Sequence, residues 1–147
     1  MIADTIQNQI KEALKTNAQI RLSTLRMLST ELHNAEIAKI GTLTKEEELV
    51  VVRKEVKKRK DAIEAYEAGG RPEKAEIERQ EMVILQEFLP KELAHEELEK
   101  VVEEAINESG AKEIADMGKV IGLVMKKTQG RAEGGTVSAL VRSKLNS

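Results

Sequence analysis

The chain has 147 residues, with 24 Lys and Arg against 26 Asp and Glu, for a formal net charge of −2. It holds no Cys, no Trp, one Phe and one Tyr, which excludes disulfides, thiolate zinc sites and thiol catalysis and leaves almost no ring for base stacking. The charged, amphipathic start and the lack of any run near the ~20 apolar residues of a membrane span point to a cytoplasmic chain with no membrane role.

Residues 2–15 place Ile2, Ile6, Ile10 and Leu14 at i, i+4, which predicts one amphipathic helix. After "TNAQ", Leu25, Leu28, Leu32 and Ala35 predict a second helix over about 20–40, with Gly41 as its stop. Thr44 followed by Glu47 is a capping-box pair that opens a third helix, which ends at Gly69-Gly70. Pro72 suits the first turn of a fourth helix, whose apolar face is Ile77, Ile84, Leu85, Phe88 and Leu89. Pro90 ends it and sets the expected domain boundary.

Three shorter helices are expected beyond it, over about 95–108, 116–128 and 134–146, stopped in turn by Gly110, by Gly130 and by the end of the pattern. The glutamate-, lysine-, alanine- and leucine-rich composition with few prolines favours helix throughout, and alternating strand patterns are missing. The expected fold is all-α, with an N-terminal helical bundle over 1–90 and a small three-helix C-terminal tail domain over 91–147.

Charge is uneven along the chain. Glu73–Glu108 carries twelve acids and four bases, whereas Met117–Ser147 carries six bases and one acid, a net of +5. The bases are Lys119, Lys126, Lys127, Arg131, Arg142 and Lys144, and the acid is Glu133. Lys126 and Lys127 suit the negative end of a helix dipole. Together with Arg131, and with Gly134 and Gly135 opening the next helix, they equally suit a phosphate held by free N–H groups. Arg142 and Lys144 extend that patch.

A second basic run, "RKEVKKRK", covers 53–60. Arg53, Lys57 and Lys60 share one helix face, and Lys54 and Lys58 share another, so the run reads as solvated surface or as a second patch. Arg59 sits in an apolar slot between Val56 and Ile63 and therefore needs an acid, for which Glu31 or Glu36 is expected. Tyr66 is its expected packing neighbour, and Asn34 is expected to tie helices together. Gly118 and Gly122, four apart, are expected to let helices pack closely inside the tail, and Gly130 to form the turn after them.

Several segments resemble the GatB/YqeY family: "RLSTLRMLSTELHNAEI", "KKRKDAIEAYEAGGR", "ILQEFLPKEL" and "ADMGKVIGLVMKKTQGRAEGG". They run in order over nearly the whole chain, and the last is the most specific. The family usually has Asp at Glu133 and often Ser near Ala94, so weaker helix caps are expected at both. The resemblance implies an all-helical protein whose tail is similar to the tail domain of the tRNA-dependent amidotransferase B subunit, a part that helps to hold tRNA. The family label of a carbon–nitrogen ligase with glutamine as nitrogen donor belongs to the larger enzyme's cradle and amidase, which have no counterpart here.

The residues themselves offer no chemistry to match that label. "HEELE" lacks the second His of a zinc helix, and no Gly-rich loop ends in Gly-Lys-Ser/Thr. Glu103 and Glu104 diverge by about 100° on a helix. No catalytic residue, metal ligand or cofactor is assigned. Three functions stay open: a non-catalytic tRNA-contact module, a helical protein-interaction adaptor, and a ligase with glutamine as donor. With so few aromatics, any RNA contact should be to phosphate and shape.

Overall fold

The computed structural model describes residues 1–129 and 131–146, and all secondary structure among them is helical. Seven α-helices follow in order: α1 (Ile2–Lys15), α2 (Gln19–Lys39), α3 (Lys45–Ala68), α4 (Pro72–Gln86), α5 (His95–Ser109), α6 (Met117–Thr128) and α7 (Gly134–Asn146), with a 3₁₀ turn at Ile114–Asp116 before α6. The chain divides into two compact units, Met1–Leu89 and Pro90–Ser147.

Local chemistry places several helix ends. At the start of α3, the Glu47 N–H donates to Thr44 Oγ1 and the Thr44 N–H donates to Glu47 Oε1, each at 3.2 Å, closing the expected capping box. Pro72 opens α4, and Gly110 ends α5 in the left-handed conformation. The stop of α2 differs from expectation. Ile40, not Gly41, takes the left-handed position, with φ of 60°, and its side chain is 93% exposed. A β-branched residue is poorly suited to that conformation, which costs roughly 1–2 kcal/mol.

In the first unit, α1 packs on α2, α3 packs along α4, and α2 touches both α3 and α4. Ile6, Ala13, Leu25, Leu28, Leu32, Leu43, Val52, Val56 and Leu85 form the core. Burying each aliphatic side chain contributes about 1.5–3 kcal/mol before entropy is subtracted. Two carboxylates are buried beside this core. Glu48 on α3 is 1% exposed and accepts from the Ile2 N–H at 3.0 Å and the Ala3 N–H at 2.8 Å. It thus caps α1, whose own N-cap residue Met1 makes no side-chain cap bond. Glu55 is 3% exposed and meets Lys58 at 3.0 Å and Arg59 at 3.6 Å.

The α3 helix has 24 residues, about 36 Å at 1.5 Å per residue, yet its buried side chains stop at Val56. Beyond that point α3 and α4 make a two-helix arm. Ala75 is its one fully buried residue, with Ile63 and Tyr66 half-buried. Ion pairs supply much of the rest: Arg59 with Glu78 and Glu81, and Arg79 with Glu67 and Glu76. Lys74 sits 5.8 Å from the centre of the Tyr66 ring.

In the second unit α6 packs on both α5 and α7, and the 3₁₀ turn packs on α6 and α7. Its core is aliphatic: Leu98, Val102, Ala105, Val120, Val124, Ala132, Val137 and Val141. The sole buried polar side chain there among the described residues is Thr128, whose hydroxyl donates to the Met125 carbonyl at 3.2 Å.

Candidate nucleic-acid interface

The six tail cations do not form one free patch. Lys127 Nζ lies 2.8 Å from Glu108 and Lys144 Nζ lies 2.9 Å from Glu103, both carboxylates on α5. Hydrogen bonding to those acids raises both lysine pKa values. Arg131 Nε donates to the Lys91 carbonyl at 3.1 Å, and the Leu93 N–H donates to the Arg131 carbonyl at 2.8 Å, so this arginine staples the 91–93 segment to the turn before α7. Two of the segment's six cations are thus paired with carboxylates of α5. Lys126 and Arg142 are exposed, and among the described residues neither has an acid within 4 Å. Lys119 is exposed and shares its field with Asp116.

At the start of α7 an acid stands beside the two glycines. Gly134 and Gly135 are exposed, with open space beside Gly134 and the Glu133 carboxylate 3.7 Å from a side chain added at Gly135. A cleft of about 550 Å³ lies there, lined by His95, Glu133, Gly135, Thr136, Leu140 and Ser143 among others. Its carboxylate opposes an anion. His95 Nε2 is 3.1 Å from Glu99, and no hydrogen bond links the imidazole to the Thr136 or Ser143 hydroxyl. The weaker cap expected at Ala94 is visible: α5 begins with no side-chain cap bond. Gly130 lies outside the described residues.

Gly118 and Gly122 depart most from expectation. Both are exposed, and a Cβ built on either meets nothing within 4 Å. They do not serve helix packing in the tail; the packing face of α6 is Val120, Val124 and Thr128. At 100° per residue, Gly118, Lys119, Gly122 and Lys126 fall on the opposite side, and all four are exposed. The result is a bare strip of helix backbone bordered by two lysines. Spacing alone shows that two glycines share a face but not whether the face looks inward.

The second basic run is split differently. Arg59 is on the α3 seam as expected, but its acids come from α4 and from its own helix: Glu81 at 3.0 Å, Glu78 at 3.7 Å and Glu55 at 3.6 Å. Glu31 and Glu36 on α2 are not among its ion pairs, because α3 runs against α4 rather than α2 at this level. Burial, together with repulsion from Glu81, raises the pKa of Glu78 despite the nearby guanidinium. Lys58 is taken by Glu55, and Lys57 reaches Asp61 only at 3.9 Å, with both side chains well exposed. Lys54 and Lys60 are exposed without an acid in range. Arg53 is half-buried, and its Nη2 has no acceptor. Asn34 is exposed and makes no side-chain hydrogen bond, so it ties no helices.

Among the described residues no three acid or imidazole side chains gather as a metal site, and no helix is long and apolar enough to cross a membrane. Sequence reasoning missed Glu48 and Glu55. Their only local signal is a carboxylate on the flank of the apolar stripe of Leu49, Val52 and Val56.

An uncharacterized protein of Schizosaccharomyces pombe is 31% identical over 85 residues, which is 58% of this chain and 69% of that one. The Yqey-like protein family matches residues 3–145, from the first turn of α1 to the last turn of α7. The chain belongs to the Yqey-like protein family.

Proposed function

We propose that this chain is a non-catalytic tRNA-contact module, related to the tail of the glutamine-dependent tRNA amidotransferase, which meets the sugar–phosphate backbone with the exposed face of α6. The observation that carries this reading is the glycine pair. Each helical glycine costs about 1 kcal/mol relative to alanine. At Gly118 and Gly122 no neighbour among the described residues comes close enough to require a missing side chain. The bare strip instead suits a close approach from outside, and Lys119 and Lys126 border it with positive charge.

The test uses opposite signs. Gly118→Ala with Gly122→Ala should raise stability by about 1–2 kcal/mol and weaken tRNA binding. Lys119→Ala with Lys126→Ala should weaken binding and flatten its salt dependence without loss of fold. Unchanged tRNA affinity in both double variants would remove the reading.

One observation favours a second reading, a protein-interaction adaptor. Ile37, Ile40 and Val50 are 62%, 93% and 64% exposed around the end of α2 and the start of α3. Ile40 combines apolar exposure with an unfavourable backbone conformation. A nuclease-insensitive protein complex lost on Ile40→Asn would select this reading over RNA contact.

A further inference from the structure

We propose that the solvent face of α3 is a second phosphodiester-binding surface, carried by Arg53, Lys54, Lys57 and Lys60. The proposal rests on the RNA-contact reading above but on different residues, in the other compact unit.

Neutralisation within the protein is what singles out this face. Of the six cations between Arg53 and Lys60, Arg59 is consumed by three carboxylates and Lys58 by the buried Glu55. Lys54, Lys57 and Lys60 keep their charge for solvent, and the half-buried Arg53 sits beside them. Among the described residues Lys54 and Lys60 have no acid within 4 Å, and Lys57 has only a long, exposed contact to Asp61. On the α4 side of the arm Glu78 and Glu81 face Arg59, and the acids left near these four cations on α3 are the exposed Asp61 and Glu64, which they outnumber.

The helix geometry aligns these charges. At 100° per residue, Arg53, Lys57 and Lys60 fall within about 60° of one another, and Lys54 flanks them. They span about 10 Å of helix axis, so that an extended anion meets them together. Arg53 adds a separate observation. One of its amino groups is shielded from water yet finds no acceptor. An arginine in that state gains hydrogen bonds by turning its fork to a phosphate. The face offers cations and almost no ring, which suits a backbone read by charge and rejects base-specific stacking.

The experiment measures binding of unfractionated tRNA to the full chain across a series of salt concentrations. Lys54→Ala/Lys57→Ala/Lys60→Ala should lower affinity by on the order of tenfold and reduce the slope of log affinity against log salt by about 2, since each lost phosphate contact removes about 0.7–0.9. Arg53→Lys should keep the slope and lose affinity, because lysine retains charge but not the fork. Unchanged melting temperatures of these exposed-site variants show that the fold is intact.

If the α3 triple variant binds like wild type while the Lys119/Lys126 variant is weakened, the α3 surface is overturned and the tail reading stands. If the α3 variant is weakened and the tail variant is not, the α3 surface stands and the tail reading falls. If the wild-type chain does not bind tRNA, both fall.

Discussion

The two compact units solve the same problem with different materials. Pro90–Ser147 is held by eight buried aliphatic side chains, with one buried hydroxyl bonded to its own helix. Met1–Leu89 buries two carboxylates beside its core and extends into an arm in which arginines replace apolar packing. An aliphatic core carries no charge to titrate or screen, whereas paired charges couple stability to pH and ionic strength. The difference shows that a highly charged sequence can keep its ions on the surface in one unit and use them as internal connectors in the other.

Breaking the arm's central pair should have the largest effect. Arg59→Ala leaves Glu55, Glu78 and Glu81 facing one another, and should cost about 2–3 kcal/mol, below the 3–5 of a fully buried pair. Hydrogen exchange should rise in α3 and α4 and stay unchanged in α5–α7. Adding Glu78→Gln and Glu81→Gln should recover part of the loss; no recovery would mean that the arginine acts by packing alone. Glu48→Ala should follow, at about 1–3 kcal/mol, by stripping two N–H groups at the start of α1 of their acceptor. Its signature is faster exchange at Ile2 and Ala3, with α4 protected.

In the second unit the expected change is a smaller gain. Ala94→Ser supplies the missing N-cap of α5 and should add about 0.5–1 kcal/mol to that unit alone. A shift in the melting of Met1–Leu89 would break the comparison.

The smallest effect is with pH. Glu47 is held below its ordinary pKa by Lys39 and by the Thr44 N–H, and Asp116 by the N–H groups of Lys112 and Glu113. Their support is complete above the unfolded value near 4 and fades as pH falls through their depressed folded values. Glu78 runs the other way: its raised pKa means that protonation relieves the fold as pH drops through the folded value. Carboxyl titrations by NMR should therefore place Glu78 above, and Glu47 and Asp116 below, an ordinary carboxylate.

Much of the fold was legible because helix ends are local. Thr44 with Glu47, Pro72 and Gly110 act within four residues of themselves, and apolar spacing supplied the segments between. What could not be read depended on which helix lies next to which. Arg59 announced that it needed an acid but not that α4 would supply it. Lys127 and Lys144 looked like free cations until α5 brought Glu108 and Glu103 to them. Gly118 and Gly122 carried the clearest signal in the tail, and only the packing of α6 shows that the signal points outward.

The clamp that Glu48 places on the start of α1 has a consequence for the order of assembly. The carboxylate and the amides it serves are 45 and 46 residues apart. During synthesis α1 emerges well before the residue that completes its first turn. The two amides therefore gain their acceptor only after α2 has emerged and α3 has begun, by closure of a long loop.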